Sequence, residues 1–199
     1  MTVFKNTYFI MRHGQSEANV ADIVVSDPAI GCANYGLSPL GQTQAKASAQ
    51  AFRDKGIEII VCSDFKRTKE TAAIVAEELS LQPAVEDTRL RERFFGEWEG
   101  QSSSAYENVW AKDLQDSNQS FNNVESTVSV RDRSVSLIQD LENQHEDKVI
   151  LLVAHGDILQ IMKSAFHDIE PGQHRTLPHH ETGEIKLLVS KGDNIHLPI

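Results

Sequence analysis

Cysteine is scarce. The chain has 199 residues and two cysteines, Cys32 and Cys62, with no CxxC pair. That excludes a disulfide framework and a zinc ribbon, and it fits a reducing compartment, so a cytoplasmic location is expected. Positive charge is short as well: 19 Lys and Arg stand against 29 Asp and Glu, for a net charge of −10. Sequence-independent nucleic-acid binding needs a basic face, and this balance argues against one. A small anionic ligand stays within reach wherever basic residues are gathered locally. Apolar runs are all short, none near the length of a bilayer span. The opening MTVFKNTYFIM lacks the apolar region and small-residue cleavage site of a signal peptide. Neither a membrane nor a nucleic-acid partner is therefore expected. Repeats, low-complexity tracts and a dividing linker are missing too, so a single domain over residues 1–199 is expected.

What the chain does have is an alternation. Tyr8–Met11, Ile57–Cys62, Val149–Ala154 and Glu184–Ser190 are short runs rich in Val, Ile and Leu, the signature of strands buried on both faces. Helical patterns separate them: Pro39–Lys55, with Ser38 as N-cap and Pro39 at N1, then Lys66–Leu79, Ser126–Gln144 and Ile158–Phe166. The fold expected is α/β, a three-layer domain with a mostly parallel central sheet and helices on both faces. Ala21–Gly36 is expected to be a long loop and Asp116–Asn123 an exposed tip. Long loops in compact domains are often functional.

Three of the apolar runs end alike. YFIM runs into Arg12-His13-Gly14, IIVC into Ser63-Asp64 and then Arg67, LLVA into His155-Gly156-Asp157. Open α/β sheets bind ligands beyond the carboxyl ends of their strands, so two histidines and two arginines are expected to meet at one edge. Such a group suits a phosphate. Arginine offers a planar fork that matches two phosphate oxygens. A histidine between arginines is held neutral by like charge, which leaves a lone pair able to attack phosphorus. Gly14 is expected to let the backbone pass close to the ligand. Singly, each feature has a plainer explanation: a satisfied structural histidine, or an arginine on a solvated helix face. Their conjunction at three strand ends carries the argument. A fourth piece, LRERFFGEWEG (Leu90–Gly100), supplies Glu92, Glu97 and Glu99 as candidates for the acid that protonates a leaving oxygen. Spacing does not choose among them.

These residues resemble the histidine phosphatase superfamily, in its phosphoglycerate mutase-like branch, which includes the fructose-2,6-bisphosphatases. RHGQSEAN, LSPLGQTQA, CSDFKRTKETA, LRERFFGEWEG and VAHGD are similar to the family's motifs, in the family's order, along most of the chain, and VESTVSVRDR resembles one in part, with Val124 in place of a glycine. The resemblance implies that His13 is the nucleophile that becomes phosphorylated. It implies that Arg12, Arg67 and His155 hold the phosphoryl oxygens, that Glu92 is the general acid and then the base for water, and that Asn19, Ser16 and Gly156 assist at the phosphate. It implies no metal and no cofactor, and a small phosphorylated metabolite as substrate.

The chain departs from the family in places. Asp157 stands where many relatives have Gly or Asn, and Gln160 where many have Arg. An acid at that place should weaken binding of highly anionic substrates unless it points away. The residues Phe94–Trp98 replace those of true mutases, which favours a phosphatase over a phosphoglycerate mutase. A phosphometabolite-binding protein without turnover is a rival of another class. So is a metallohydrolase, for which His174 and His179 have ligand spacing. His179, His180 and Glu181 could instead line the substrate pocket or form an exposed polar loop. Hydrophobic edge strands would allow a homodimer.

Overall fold

The computed structural model describes residues 1–198. Its centre is a five-stranded sheet built from β2 (Thr7–Arg12), β3 (Ile59–Cys62), β4 (Val85–Glu86), β5 (Val149–Ala154) and β6 (Ile185–Val189), in the order β4-β3-β5-β2-β6. The pairings β3–β4, β3–β5 and β2–β5 are parallel, and β6 runs antiparallel to β2 at the edge. A separate two-stranded ribbon joins β1 (Thr2–Val3) to β7 (Asn194–Ile195).

Alternation along the strands sorts their side chains onto two faces. Tyr8, Ile10, Val61, Ile150 and Leu152 pack on one face against α6 (Thr127–Gln144) and α7 (Gly156–Phe166). Phe9, Met11, Ile60, Leu151 and Val153 pack on the other against α3 (Pro39–Ala51) and α4 (Lys66–Leu79). The three-layer arrangement anticipated above is the one found. Ser38 caps α3 as expected, and Ser126, expected as the first residue of its helix, is instead the N-cap of α6. The helix expected to run to Lys55 ends at Ala51 and tightens into a 3₁₀ turn over Arg53–Lys55, with Gly56 left-handed at φ 73°.

Two loop expectations need correction. Ala21–Gly36 is not loop throughout: it follows α1 (Glu17–Ala21) and contains α2 (Pro28–Gly31), which Asp27 caps ahead of Pro28. Asp116–Asn123 is not merely an exposed tip. Its Gln119 is buried and donates to Asp113 at 2.6 Å, and its Ser117 hydroxyl accepts from the Gly172 amide. A further helix, α5 (Ala105–Asp113), lies in a stretch that shows no helical pattern. Its Val109 packs with Val24, Phe95 and Val124 in a satellite core.

Candidate active site

Register decides what meets. Arg12 pairs with Ala154 across β2–β5, and Cys62 with Val153 across β3–β5, so the three strands end flush. The next residues, His13, Ser63 and His155, are thereby side by side. The amide of His13 donates to Ala154 O and that of Ser63 to Val153 O. Because β6 is antiparallel, its beginning lies at this same end. The Gly183 amide bonds the carbonyls of Arg12 and His13, which brings the His179–Glu184 turn to the site.

His13 is 3% exposed, Arg67 5% and His155 0%. The His13 Nδ1 lies 2.6 Å from Gly14 O, a carbonyl that can only accept, so Nδ1 carries the proton and Nε2 the lone pair. Arg67 Nε donates at 3.2 Å both to His13 Nε2 and to His155 Nδ1. The His155 Nε2–H then donates to Ser63 Oγ at 2.9 Å. Burial first, then the charges of Arg67 and Arg12, hold His13 well below its ordinary value, and burial and Arg67 do the same for His155. Both rings are neutral at neutral pH.

Arg67 stands in the first turn of α4 and is anchored by Nη2–H donating to Val25 O at 2.9 Å. Its Nη1 is buried without a partner among the described residues. Arg12 donates from Nη1 to His180 O at 3.0 Å, and its Nε is likewise unpartnered. A Cβ at Gly156 would lie 3.3 Å from the Arg12 guanidinium, close enough to press on it. Gly14 does not serve the ligand as expected. A Cβ there would come within 2.3 Å of Gly41 O, so the residue is spent on close packing of β2's end against α3.

Glu92 caps α7. Its Oε1 accepts from the Arg93 and Ile158 amides at 2.9 and 3.1 Å, and its Oε2 from the Asp157 amide at 3.4 Å. Burial and the neighbouring Asp157 charge push its carboxyl above the ordinary value, against the pull of Arg67 and the amides. Glu97 and Glu99 are elsewhere: Glu97 binds Asn122 and Asn123, and Glu99 binds Ser26. Arg133 of α6 holds the glutamate's turn by donating to the carbonyls of Arg89, Arg91 and Glu92.

Above this group is a cleft of about 260 Å³ whose lining includes Arg12, Asn19, Glu92, Gly156, Trp110 and Arg175. Asn19 thus reaches the cleft. Ser16 does not: it is 1% exposed and its hydroxyl is engaged with Asn19 as the cap of α1. Asp157 is turned into a buried network. Trp110 Nε1–H donates to its Oδ1 at 2.9 Å, His174 Nε2 lies 2.8 Å from the same oxygen, and Arg93 reaches its Oδ2 at 3.3 Å. Burial would raise its carboxyl, but the pairing with His174 and Arg93 prevails and holds it well below the ordinary range.

His174 and His180 are fully buried, so the idea of an exposed polar loop fails for His180. Both ring nitrogens of His174 face oxygens, Asp157 Oδ1 and Pro171 O, which leaves neither for sharing a metal with His179. His179 lies beside Arg12 at the cleft. Sequence reasoning missed Ser63 as the partner of His155, although it stood inside a quoted motif. It also missed Tyr106, Trp110 and Arg175, which belong to no motif.

Fold and site together define an α/β enzyme built for phosphoryl transfer. Comparison with known proteins agrees. The family model of the histidine phosphatase superfamily (branch 1) matches residues 8–197. A glucosyl-3-phosphoglycerate phosphatase of Mycolicibacterium vanbaalenii is 32% identical over 167 residues, 78% of this chain and 72% of that one. The solved structure of a mycobacterial glucosyl-3-phosphoglycerate phosphatase complexed with VO3 superposes with a TM-score of 0.77 at 27% identity, over 90% of this chain and 88% of its own. Bacillus stearothermophilus YhfR shares the fold, with a TM-score of 0.78 at 24% identity over 98% and 96% of the two chains. The chain belongs to the histidine phosphatase superfamily, and it is a phosphatase.

Proposed function

We propose that this phosphatase is a single-domain, metal-independent phosphomonoesterase that hydrolyses small phosphorylated metabolites through a phosphohistidine on His13. The observation that carries the reading is the pair of buried guanidinium nitrogens, Arg12 Nε and Arg67 Nη1, unpartnered among the described residues and flanking a neutral imidazole. A buried donor without a partner is costly unless a ligand satisfies it. A phosphoryl group satisfies both.

In the first step His13 Nε2 forms a bond to phosphorus as the bond to the ester oxygen breaks. Glu92 gives its proton to that departing oxygen, so the alcohol leaves neutral. Arg12 and Arg67 surround the transferring group, with neutral His155 held beside it by Arg67 and Ser63, and the two fixed cations stabilise the charge on its equatorial oxygens. In the second step the Glu92 carboxylate takes a proton from water as the water oxygen attacks phosphorus, and His13 is released with inorganic phosphate. Asn19 and Gly156 shape the rim, and Ser16 acts only by fixing Asn19. The free thiols and the net charge of −10 support a cytoplasmic enzyme with neither nucleic acid nor membrane as partner.

Rapid quenching with a ³²P-labelled ester tests this. Wild-type protein is expected to carry an acid-labile, alkali-stable label, the behaviour of a phosphoramidate, and His13→Ala to carry none and to turn over no substrate while keeping its circular dichroism spectrum. Substantial turnover by His13→Ala would place the nucleophile elsewhere. Labelling followed by transfer to a second metabolite rather than to water would mark a mutase.

A further inference from the structure

Arg175 has no part in the chemistry just described, yet it lines the same cleft. Two contacts fix it there. Its guanidinium lies 3.8 Å from the Trp110 ring centroid, a cation–π stack. Its Nη1 donates to Gln160 Oε1. Trp110 is itself pinned by Asp157, and Gln160 Nε2 donates to Leu177 O at 3.1 Å, so both supports are held from behind. Among the described residues Gln160 is the one hydrogen-bond acceptor for the Arg175 side chain, although a guanidinium has five donors. Gln160 and Asp157 are also among the positions at which the sequence departs from many of its relatives, and both departures serve to hold this arginine: Gln160 directly and Asp157 through Trp110.

We infer that Arg175 reads a carboxylate on the leaving group, so that the preferred substrates are phosphate monoesters carrying a carboxylate near the ester oxygen. The inference rests on the phosphatase reading above. A planar fork matches two coplanar carboxylate oxygens. The charge balance favours a monoanion over a second phosphate. Asp157 is paired within the wall, so one cation, Arg175, remains in the lining for the leaving group, and the Asp22 carboxylate, bonded to the Ser102 and Ser103 hydroxyls, adds negative charge that a second phosphate would meet.

The test compares 3-phosphoglycerate with glycerol 3-phosphate, which has a hydroxymethyl group where the former has its carboxylate. Release of inorganic phosphate is the readout. The wild-type protein is expected to prefer 3-phosphoglycerate in kcat/KM by about 10- to 100-fold, the size of a charge-assisted hydrogen-bond pair. Arg175→Met is expected to bring the ratio close to one, mainly by loss on 3-phosphoglycerate. Arg175→Lys, which keeps the charge without the fork, is expected to retain part of it. A wild-type ratio near one overturns the inference whatever the variants do, and so does a ratio untouched by Arg175→Met. Failure of the wild type to release phosphate from either ester or from p-nitrophenyl phosphate would instead remove the phosphatase reading beneath it.

Discussion

At the scale of single residues, the proposed mechanism sets two protonation states apart. His13 must be neutral to attack, and burial beside two arginines keeps it so well into the acid range. Glu92 must carry a proton to release an alkoxide, and burial beside Asp157 keeps that proton to higher pH than an ordinary carboxyl would. Activity on unactivated esters is therefore expected to be highest between the two and to fall as pH rises through the Glu92 value. Glu92→Gln should remove that falling limb, whereas any limb due to titration of the substrate phosphate persists in both proteins. The same variant separates the two halves of the reaction. p-Nitrophenol leaves without help, so a burst of p-nitrophenolate should survive in Glu92→Gln, followed by slow turnover because water is no longer activated. Phosphorylation of His13 by an alkyl ester should drop about 10²- to 10⁴-fold. Equal loss of both single-turnover rates would show that Glu92 is not the acid.

At the scale of elements, the three parallel strand ends place the histidines, but a strut outside the sheet places Arg67. Glu99 accepts from the Ser26 amide at 2.8 Å and from its hydroxyl at 2.6 Å, and the same hydroxyl accepts from the Phe95 amide at 2.9 Å. This fixes Val25, whose carbonyl holds Arg67. Glu99→Gln replaces one acceptor oxygen by a donor and leaves the Ser26 hydroxyl without its partner. Inhibition by inorganic phosphate is expected to weaken about ten-fold, Ser26→Ala should act in the same direction, and the double variant should lose little more, since both break one strut. Fully additive losses would mean that the two residues act separately. The strands, the four long helices and the meeting of His13, Arg67 and His155 were legible because continuous apolar runs and their polar ends mark them directly. The choice of Glu92 over Glu97 and Glu99 came only from the family resemblance and not from spacing, because it depends on which carboxylate faces the amides of α7. Nor was α5 legible: its Tyr106 and Trp110 line the cleft, Tyr106 also packing on the satellite core, and so blur the apolar period. Arg175 and Trp110 meet only through the packing of segments far apart in sequence.

At the scale of the whole molecule, one buried charge network ties the cleft wall to the body. Arg93 and Asp113 are fully buried and joined by two bonds of 2.6 and 2.8 Å, Gln119 donates to Asp113, and Arg93 and His174 converge on Asp157. The network joins the turn of Glu92, α5, the segment after it and the Pro171–Thr176 turn to the start of α7. Breaking one partner of such a buried pair leaves an uncompensated charge, at a cost of about 3–5 kcal/mol. Asp157→Asn keeps the shape and removes the charge, so a loss of that order is expected in urea unfolding at pH 7. The sign of the pH dependence follows from Asp157's depressed folded value. Its ionic stabilisation is fully present above the unfolded aspartate value of about 3.9 and drains away as pH falls from there toward the folded value. Below about pH 4 the stability gap between wild type and Asp157→Asn should therefore narrow steadily as pH falls. A gap that stays constant down to pH 3 would mean that the asparagine costs packing and hydrogen bonds rather than charge, and that the wall holding Arg175 is not electrostatically fastened.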